Sequence, residues 1–302
     1  MNKKTILLTG GTGFLGSYLV KNLVNEGHKI IILKRSFSNL FRIRDLINNG
    51  DIIFYDIDKV SLEKPFTENR IDIIIHTSTN YGRNNERASD IINDNLIFPL
   101  KLVELGVFFN TDTFFNTDTF FNTDTILYQY LSNYSLSKKQ FFEWLKMFLG
   151  KIRIVNMKLE HIYGPFDDEK KFVIWLIKKM IENNEDIRLT KGEQVRNFVY
   201  IDDVVKGYLI VLKNLDRLGI YSEFNIASDE NISIKDFVLK VKNILENDFN
   251  INLKVKLLFG ALDYREGEFF NLSADNSEIK KLGWDIKVSL DEGLRNTIRS
   301  VI

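Results

Sequence analysis

The chain has 302 residues, 44% of them hydrophobic and 27% charged, enough apolar material for one large domain or two. Its 41 basic side chains balance 41 acidic ones, so no global field holds nucleic acid or an anionic membrane, and any anionic ligand has to be held locally. The absence of cysteine excludes disulfides, thiolate metal sites and cysteine nucleophiles, and fits a reducing compartment.

The opening MNKKTILLTGG is basic and then apolar, but its apolar run breaks into glycines after a few residues, which suits a buried strand, Thr5 to Leu8, better than a signal peptide. No other stretch approaches the roughly 18 apolar residues of a membrane span, and a cytoplasmic protein is expected. The first strand runs into Thr9-Gly10-Gly11-Thr12-Gly13-Phe14-Leu15-Gly16 and straight into a helix, Phe14 to Glu26. Phe14, Leu15, Leu19, Leu23 and Val24 form the apolar face of that helix, and Gly27 stops it. Glycines there let the backbone turn tightly and approach a pyrophosphate, whose charge the helix N-terminus stabilises. Gly10, Thr12, Gly13, Phe14, Leu15 and Gly16 are therefore candidate dinucleotide contacts; a plain tight turn could use the same residues.

A second strand, Ile30 to Leu33, ends in Lys34-Arg35-Ser36, where a site preferring NAD usually carries an acid for the ribose hydroxyls. Arg35 and Ser36 suit a 2′-phosphate, favouring NADP(H), with NAD(H) possible. After the third strand, Ile52 to Tyr55, Asp56 and Ile57 either flank the adenine or make a strand-ending turn. After the fourth, Ile71 to Ile75, His76 reads as a core histidine. Thr77, Ser78 and Thr79 come next as candidate cofactor contacts and Asn80 as a candidate substrate contact. A helix from Ile91 to Leu105, kinked at Pro99, carries Asn95.

From Phe108 to Thr125 the hexapeptide FFNTDT is written three times without substitution. Its aromatic start and polar end suit a strand, and six residues of strand span about 20 Å, so only one copy can stand beside the helix that comes next in the chain. That helix, from Ser135 to Leu149, is entered through Tyr134-Ser135-Leu136-Ser137-Lys138, which puts a phenol and an ammonium on one face. The nearby Lys138 charge favours phenolate, which suits Tyr134 to exchange a proton with a carbonyl or alcohol while a nicotinamide handles the hydride.

A fifth strand, Ile152 to Met157, precedes Gly164-Pro165, beyond which helices at Phe172 to Ile181, Asp203 to Leu212 and Ile234 to Leu245 belong to a looser, mixed pattern. Strands alternating with helices predict an α/β fold: a doubly wound parallel sheet (Rossmann fold) with a smaller C-terminal lobe. Residues 1–165, completed by about 196–226, are assigned to the dinucleotide-binding domain, and 166–195 with 227–302 to the substrate lobe. The three histidines, at 28, 76 and 161, are scattered, and no metal site is assigned.

Taken together, these motifs resemble the extended short-chain dehydrogenase/reductase family, also called the NAD-dependent epimerase/dehydratase family, along essentially the whole chain. Thr9 to Gly16 matches its cofactor loop and Tyr134 with Lys138 its catalytic pair. His161-Ile162-Tyr163-Gly164-Pro165 matches the strand end near the nicotinamide, and Gln194 to Val204 the segment whose arginine meets a sugar nucleotide. Arg265, followed by Ser273-Ala274-Asp275 and Leu282-Gly283-Trp284, looks like its C-terminal signature. The resemblance implies that Arg196 and Arg265 hold the nucleotide's diphosphate or base, that His161 lies near the nicotinamide, and that Asn95 organises Lys138 and water. Within the family, Val155 to Pro165, Gly192-Glu193-Gln194 and Phe259-Gly260-Ala261 are most similar to CDP-abequose and CDP-paratose synthases, which reduce the 4-keto group of a nucleotide-linked 3,6-dideoxyhexose in surface polysaccharide biosynthesis.

The family's third catalytic residue is a Ser or Thr at the end of the strand before the tyrosine helix. Thr119, 15 positions before Tyr134, is expected to fill that role, with Thr113 second. Thr125 leaves only eight residues before the tyrosine, so the third copy is expected to form a loop over the site. The 4,6-dehydratases of the family follow their threonine with Asp-Glu; here Thr117-Asp118 is followed by Thr119, which disfavours elimination. A 4-epimerase or dehydratase using tightly bound NAD and a catalytically silent, cofactor-binding regulator are the alternative functions. A homodimer through the helices bearing Asn95 and Tyr134 is the expected assembly.

Overall fold

The computed structural model describes residues 3–109, 119–182, 185–271 and 274–302; Thr113, Thr117, Asp118 and Ser273 lie outside them. The strands are β1 (Thr5–Thr9), β2 (Lys29–Lys34), β3 (Ile52–Asp56), β4 (Ile73–His76), β5 (Thr119–Thr125), β6 (Arg153–Leu159), β7 (His161–Tyr163), β8 (Ile187–Leu189), β9 (Val195–Tyr200), β10 (Tyr221–Ile226), β11 (Asn231–Ser233) and β12 (Leu257–Phe259). The helices are α1 (Phe14–Asn25), α2 (Lys64–Glu68), α3 (Ala88–Ile92), α4 (Phe98–Phe109), α5 (Asn133–Leu145), α6 (Phe172–Glu182), α7 (Ile201–Lys213), α8 (Ile234–Asn247), α9 (Ser277–Lys280) and α10 (Leu290–Arg299). Among the described residues no helix is long and apolar enough to cross a membrane.

Residues 1–159 and 205–225 form one compact unit, and 160–204 with 226–302 the other. The first is built on a seven-stranded sheet of order β10-β6-β5-β4-β1-β2-β3, in which β1 to β6 pair in parallel. The runs ILL in β1, III in β2 and III in β4 are buried on both faces, as parallel strands covered by helices require. This is the doubly wound parallel sheet expected from the order of the elements.

β5 is the third FFNTDT copy preceded by Thr119, the last residue of the second copy. Consecutive strand residues face opposite ways. Phe120 packs against His76 and Phe141 on one side, and Phe121 against Tyr208 on the other. The expectation of a loop over the site is thus corrected: the third copy is a central strand, in register with Ile73 to His76 and with Arg153 to Leu159.

The helix expected from Ile91 to Leu105 is three pieces: α3, a π-helical segment Asn93–Ile97, and α4. Pro99 has no N–H to give to the carbonyl four residues back, and the wider turn falls at that point. Such π turns often mark functional positions, and Asn95 stands inside this one.

In the second unit β11, β9 and β7 form a three-stranded sheet and β12 pairs with β8. Phe198 of β9 stacks on Phe237 of α8 with ring centroids 4.0 Å apart. The Leu282-Gly283-Trp284 turn is structural: Trp284 Nε1 donates to Asp203 O at 2.8 Å, while Asp203 Oδ2 accepts from the backbone N–H groups of Lys287 and Val288.

Candidate active site

At the end of β1 the chain turns through Gly10 with φ +72°, and Gly13 N–H donates to Gly10 O at 2.8 Å. A Cβ at Gly10 would come within 2.7 Å of Ser78 N, and one at Gly16 within 2.0 Å of Gly10 O. Loop, strand end and helix start are packed too closely for side chains. Helix α1 begins after Gly13 with no side-chain cap and no acidic residue in its first turn, leaving its first N–H groups and dipole for an anion. The loop therefore fits the pyrophosphate of a dinucleotide. Thr77 Oγ1 donates to Thr9 O, and Thr9 Oγ1 meets His76 Nδ1 at 2.8 Å, tying the ends of β1 and β4 together. Burial holds the His76 imidazole well below its ordinary pKa, so it is a neutral core group.

Beyond β2, Arg35 is exposed and its guanidinium lies over the Phe37 ring. Ser36 is engaged differently from Arg35: its N–H and hydroxyl both donate to Asp58, at 2.7 and 2.6 Å. Those bonds hold the Asp58 carboxyl below the usual range. Asp56 pairs with Lys34 at 2.5 Å. Arg42 reaches Thr12 O at 3.4 Å. Neither Asp58 nor Arg42 was flagged by the motif, because their partners lie 22 and 30 residues away.

Helix α5 starts two residues earlier than its apolar stripe suggests because Ser132 and Ser135 cap it reciprocally. That places Tyr134 in the first turn and Lys138 one turn on. Lys138 is buried, which pulls its ammonium down to about 8; Asp124 works against this shift and Lys139 adds to it. Burial pushes the Tyr134 phenol well up, helped by Tyr81 and Asp124, whereas a hydrogen bond with Thr125 and the charge of Arg83 favour the phenolate. Tyr81 leans on Tyr134 with centroids 4.8 Å apart, and Arg83 stacks on the other ring of that pair, 4.4 Å from the Tyr81 centroid. Motif reading missed both, since exposed loop residues carry no periodic signal.

Asn95 is fully buried. Its Oδ1 accepts from Asn80 N–H at 2.7 Å and Thr79 Oγ1 at 3.1 Å, and its Nδ2 donates to Asn80 O and Ser137 Oγ. It brackets the loop after β4 to the residue next to Lys138. Thr79, Asn80 and Asn95 are thus brought together with the tyrosine helix, while Thr77 and Ser78 are bonded to Thr9.

The structure sets the candidate threonines at opposite ends of one strand. Thr119 opens β5, opposite Ile73 and Arg153 at the sheet's amino end, about 20 Å of strand away from the carboxyl end where Tyr134 stands. Thr125 closes the strand, and its side chain acts on the Tyr134 phenol in favour of the phenolate. The short connection that argued against Thr125 is accommodated by a 3-10 turn, Gln129–Leu131, and the Ser132 cap. Thr123 Oγ1 meets the Tyr208 hydroxyl at 2.7 Å. The expected result of Thr125→Val is a fall in turnover of about tenfold to a hundredfold, with Thr119→Val leaving turnover within twofold; steady-state assays of the two variants check the reversal.

In the second unit, His161 Nδ1 lies 3.2 Å from Glu160 Oε2. Arg196 is almost fully buried, and its Nη1 donates to Val195 O and Phe269 O, while Nη2 pairs with Glu268. Glu268 also accepts from Arg265 Nε at 2.7 Å. Arg196 is thus committed to internal partners, and Arg265, 60% exposed, is the guanidinium that faces solvent.

A family model described as the NAD dependent epimerase/dehydratase family matches residues 6–227. The chain is 34% identical over 301 residues to a CDP-abequose synthase of Salmonella muenchen, covering 99% of this chain and 98% of that protein. It is 29% identical to the CDP-abequose synthase of Salmonella typhimurium, covering 98% of both. Among solved structures it superposes on the UDP-glucose 4-epimerase of Thermotoga maritima, crystallised with UDP-glucose, with TM-score 0.81 and 22% identity over 98% of each chain. That likeness establishes the fold.

Proposed function

Because the chain belongs to the NAD dependent epimerase/dehydratase family, we propose that it reduces the 4-keto group of a nucleotide-linked deoxysugar, of the CDP-3,6-dideoxyhexose kind, with NADPH. The reading rests above all on the Tyr134 phenol, which the Thr125 side chain biases toward phenolate and which stands one helical turn from the buried Lys138. When bound at the glycine loop, the nicotinamide supplies the chemistry of hydride transfer to C4. Tyr134 gives its proton to the C4 oxygen as the carbonyl becomes an alcohol, and is left as phenolate. Thr125 has one O–H to give, either to the phenolic oxygen, which holds it in line, or to the C4 oxygen. Lys138 is the cation for the cofactor's ribose hydroxyls, and Arg265 for the diphosphate. Arg35 is the proposed contact of a 2′-phosphate, which motivates NADPH over NADH.

Elimination fits less well. The residues after Thr125 are Ile126 and Leu127, not the dehydratases' acid pair, and the Asp124 that precedes it has a buried carboxylate that accepts from Lys139 Nζ at 3.1 and 3.2 Å and from Asn156 Nδ2 at 3.3 Å. The similarity to CDP-abequose synthases favours reduction over epimerisation. A homodimer through α4 and α5 belongs to the same reading, and a single-subunit mass in sedimentation would remove it.

The test is the fall of NADPH absorbance with a panel of 4-keto sugar nucleotides made in situ. Oxidation of NADPH that depends on a CDP-linked 4-keto-dideoxyhexose is the expected result. Purified protein that retains NAD⁺ and interconverts C4 alcohols without net NADPH consumption would replace the reductase with an epimerase.

A further inference from the structure

Beside the groups assigned to proton and hydride transfer lies a buried ion pair that the reaction does not employ. The Asp124 side chain is wholly buried and that of Lys139 is 21% exposed. An ionised carboxylate in such a place is costly unless it is paired and hydrogen-bonded. The pair spans two elements: Asp124 immediately precedes Thr125 at the end of β5, and Lys139 immediately succeeds Lys138 on α5.

The bonds converge on one residue. Asp124 Oδ1 accepts from Thr125 N–H at 2.7 Å, and Lys139 Nζ donates both to Asp124 and to Thr125 O. Both backbone polar groups of Thr125 are thereby taken up by the pair, while Thr125 Oγ1 accepts from Leu127 N–H at 3.2 Å and the side chain favours the Tyr134 phenolate. Behind the pair the seam continues across the sheet: Asn156 Nδ2 also donates to Glu223 Oε2 at 2.9 Å, and Glu223 is held by Lys158 and the Tyr221 hydroxyl. Asp124 is thus braced on its far side.

We propose that Asp124 and Lys139 are positioning residues: by gripping Thr125 at its N–H and its carbonyl, they hold its hydroxyl against the phenol and fix the direction in which Tyr134 delivers its proton. The inference rests on the reductase reading for its catalytic consequence, but the geometry it asserts stands without a substrate. The charged and titratable groups that act on the Tyr134 phenol are Tyr81 and Arg83 from the loop after β4 and Asp124 from β5; on α5, Lys138 and Lys139 face Asp124. Of these, Lys139 is the one that neutralises Asp124. Removing it leaves a bare carboxylate beside the phenol and loosens Thr125, and both changes disfavour the phenolate.

Two measurements on Lys139→Met separate this role from simple packing. A difluorotyrosine placed at position 134 titrates in an accessible range and needs no substrate. Its titration is expected to move up by about half a unit or more in Lys139→Met and to return in Lys139→Arg. With the 4-keto substrate, kcat is expected to fall about tenfold to a hundredfold while KM changes less than twofold. An unmoved titration in folded Lys139→Met overturns the proposal, whatever the substrate. A titration that moves in a protein that reduces no 4-keto sugar nucleotide, even unmutated, leaves the positioning intact and removes the reductase reading. If Lys139→Met does not fold, the double variant Asp124→Asn with Lys139→Gln, which buries no lone charge, carries the test. Slowed turnover at unchanged KM supports the grip on Thr125, and unchanged turnover overturns it.

Discussion

Tyr134→Phe is expected to lower kcat by about a hundredfold to ten-thousandfold, the usual worth of a positioned general acid, while NADPH binding and stability change little. Losing the hydroxyl costs at most about one neutral hydrogen bond, on the order of 1 kcal/mol. The hydride donor is untouched, and only the proton source is gone. Single-turnover NADPH oxidation, with fluorescence titration of NADPH alongside, reads the two quantities separately. Turnover within a few-fold of the unmutated enzyme would mean that water or another side chain protonates the C4 oxygen.

Lys138 adds a dependence on pH. Its ammonium titrates at about 8 in the folded protein, against 10.5 in an unperturbed lysine. The unfolded chain therefore binds the proton more tightly than the folded one. Burying the charge costs stability in full below about pH 8, and that cost is relieved as pH rises from about 8 toward 10.5. On the proposed reading activity runs the other way, because the ribose contact assigned to Lys138 needs the charge. Lys138→Met is expected to raise the melting temperature at pH 7 and to abolish most turnover. A melting temperature that falls instead would show that the ammonium is held by partners that outweigh its desolvation.

The sheet was legible because its strands announce themselves: ILL, III and III are short, β-branched or aliphatic, and separated by helical patterns, which only a sheet covered on both faces can bury. The glycine loop and Tyr134 with Lys138 were legible because their spacing is local. The choice among three identical hexapeptides was not. Six is an even number, so each copy presents the same faces to a pleated sheet, and nothing within a copy tells it apart. What decides is register against β4 and β6, which is non-local, and a connection shortened by a serine cap. The same holds for Arg196 and Ser36: their types suit a phosphate, but Glu268 and Asp58 already occupy them from 72 and 22 residues away. The π turn around Asn95 was hidden because Pro99 signals that a helix is interrupted without saying how.

Gly16→Ala is the substitution with the largest expected effect on cofactor binding. The added methyl would lie 2.0 Å from Gly10 O, 2.6 Å from Gly10 C and 2.9 Å from Gly11 Cα. These are backbone atoms of the loop itself, so no side chain can rotate aside and α1 must separate from the end of β1. Overpacking of this kind costs roughly 1–3 kcal/mol, and the shift also moves the N–H groups that face the pyrophosphate. Expected results are a melting temperature several degrees lower and a loss of the extra stabilisation that NADPH, as the proposed cofactor, is expected to confer on the unmutated protein. Gly50→Ala is the control: a methyl there meets nothing within 4 Å, and both readouts are expected to stay put. If Gly16→Ala melted lower yet gained as much from NADPH as the parent, the clash would be real but the dinucleotide would bind elsewhere. The hydride then could not arrive beside Tyr134 from this loop, and the reductase reading would lose its cofactor site.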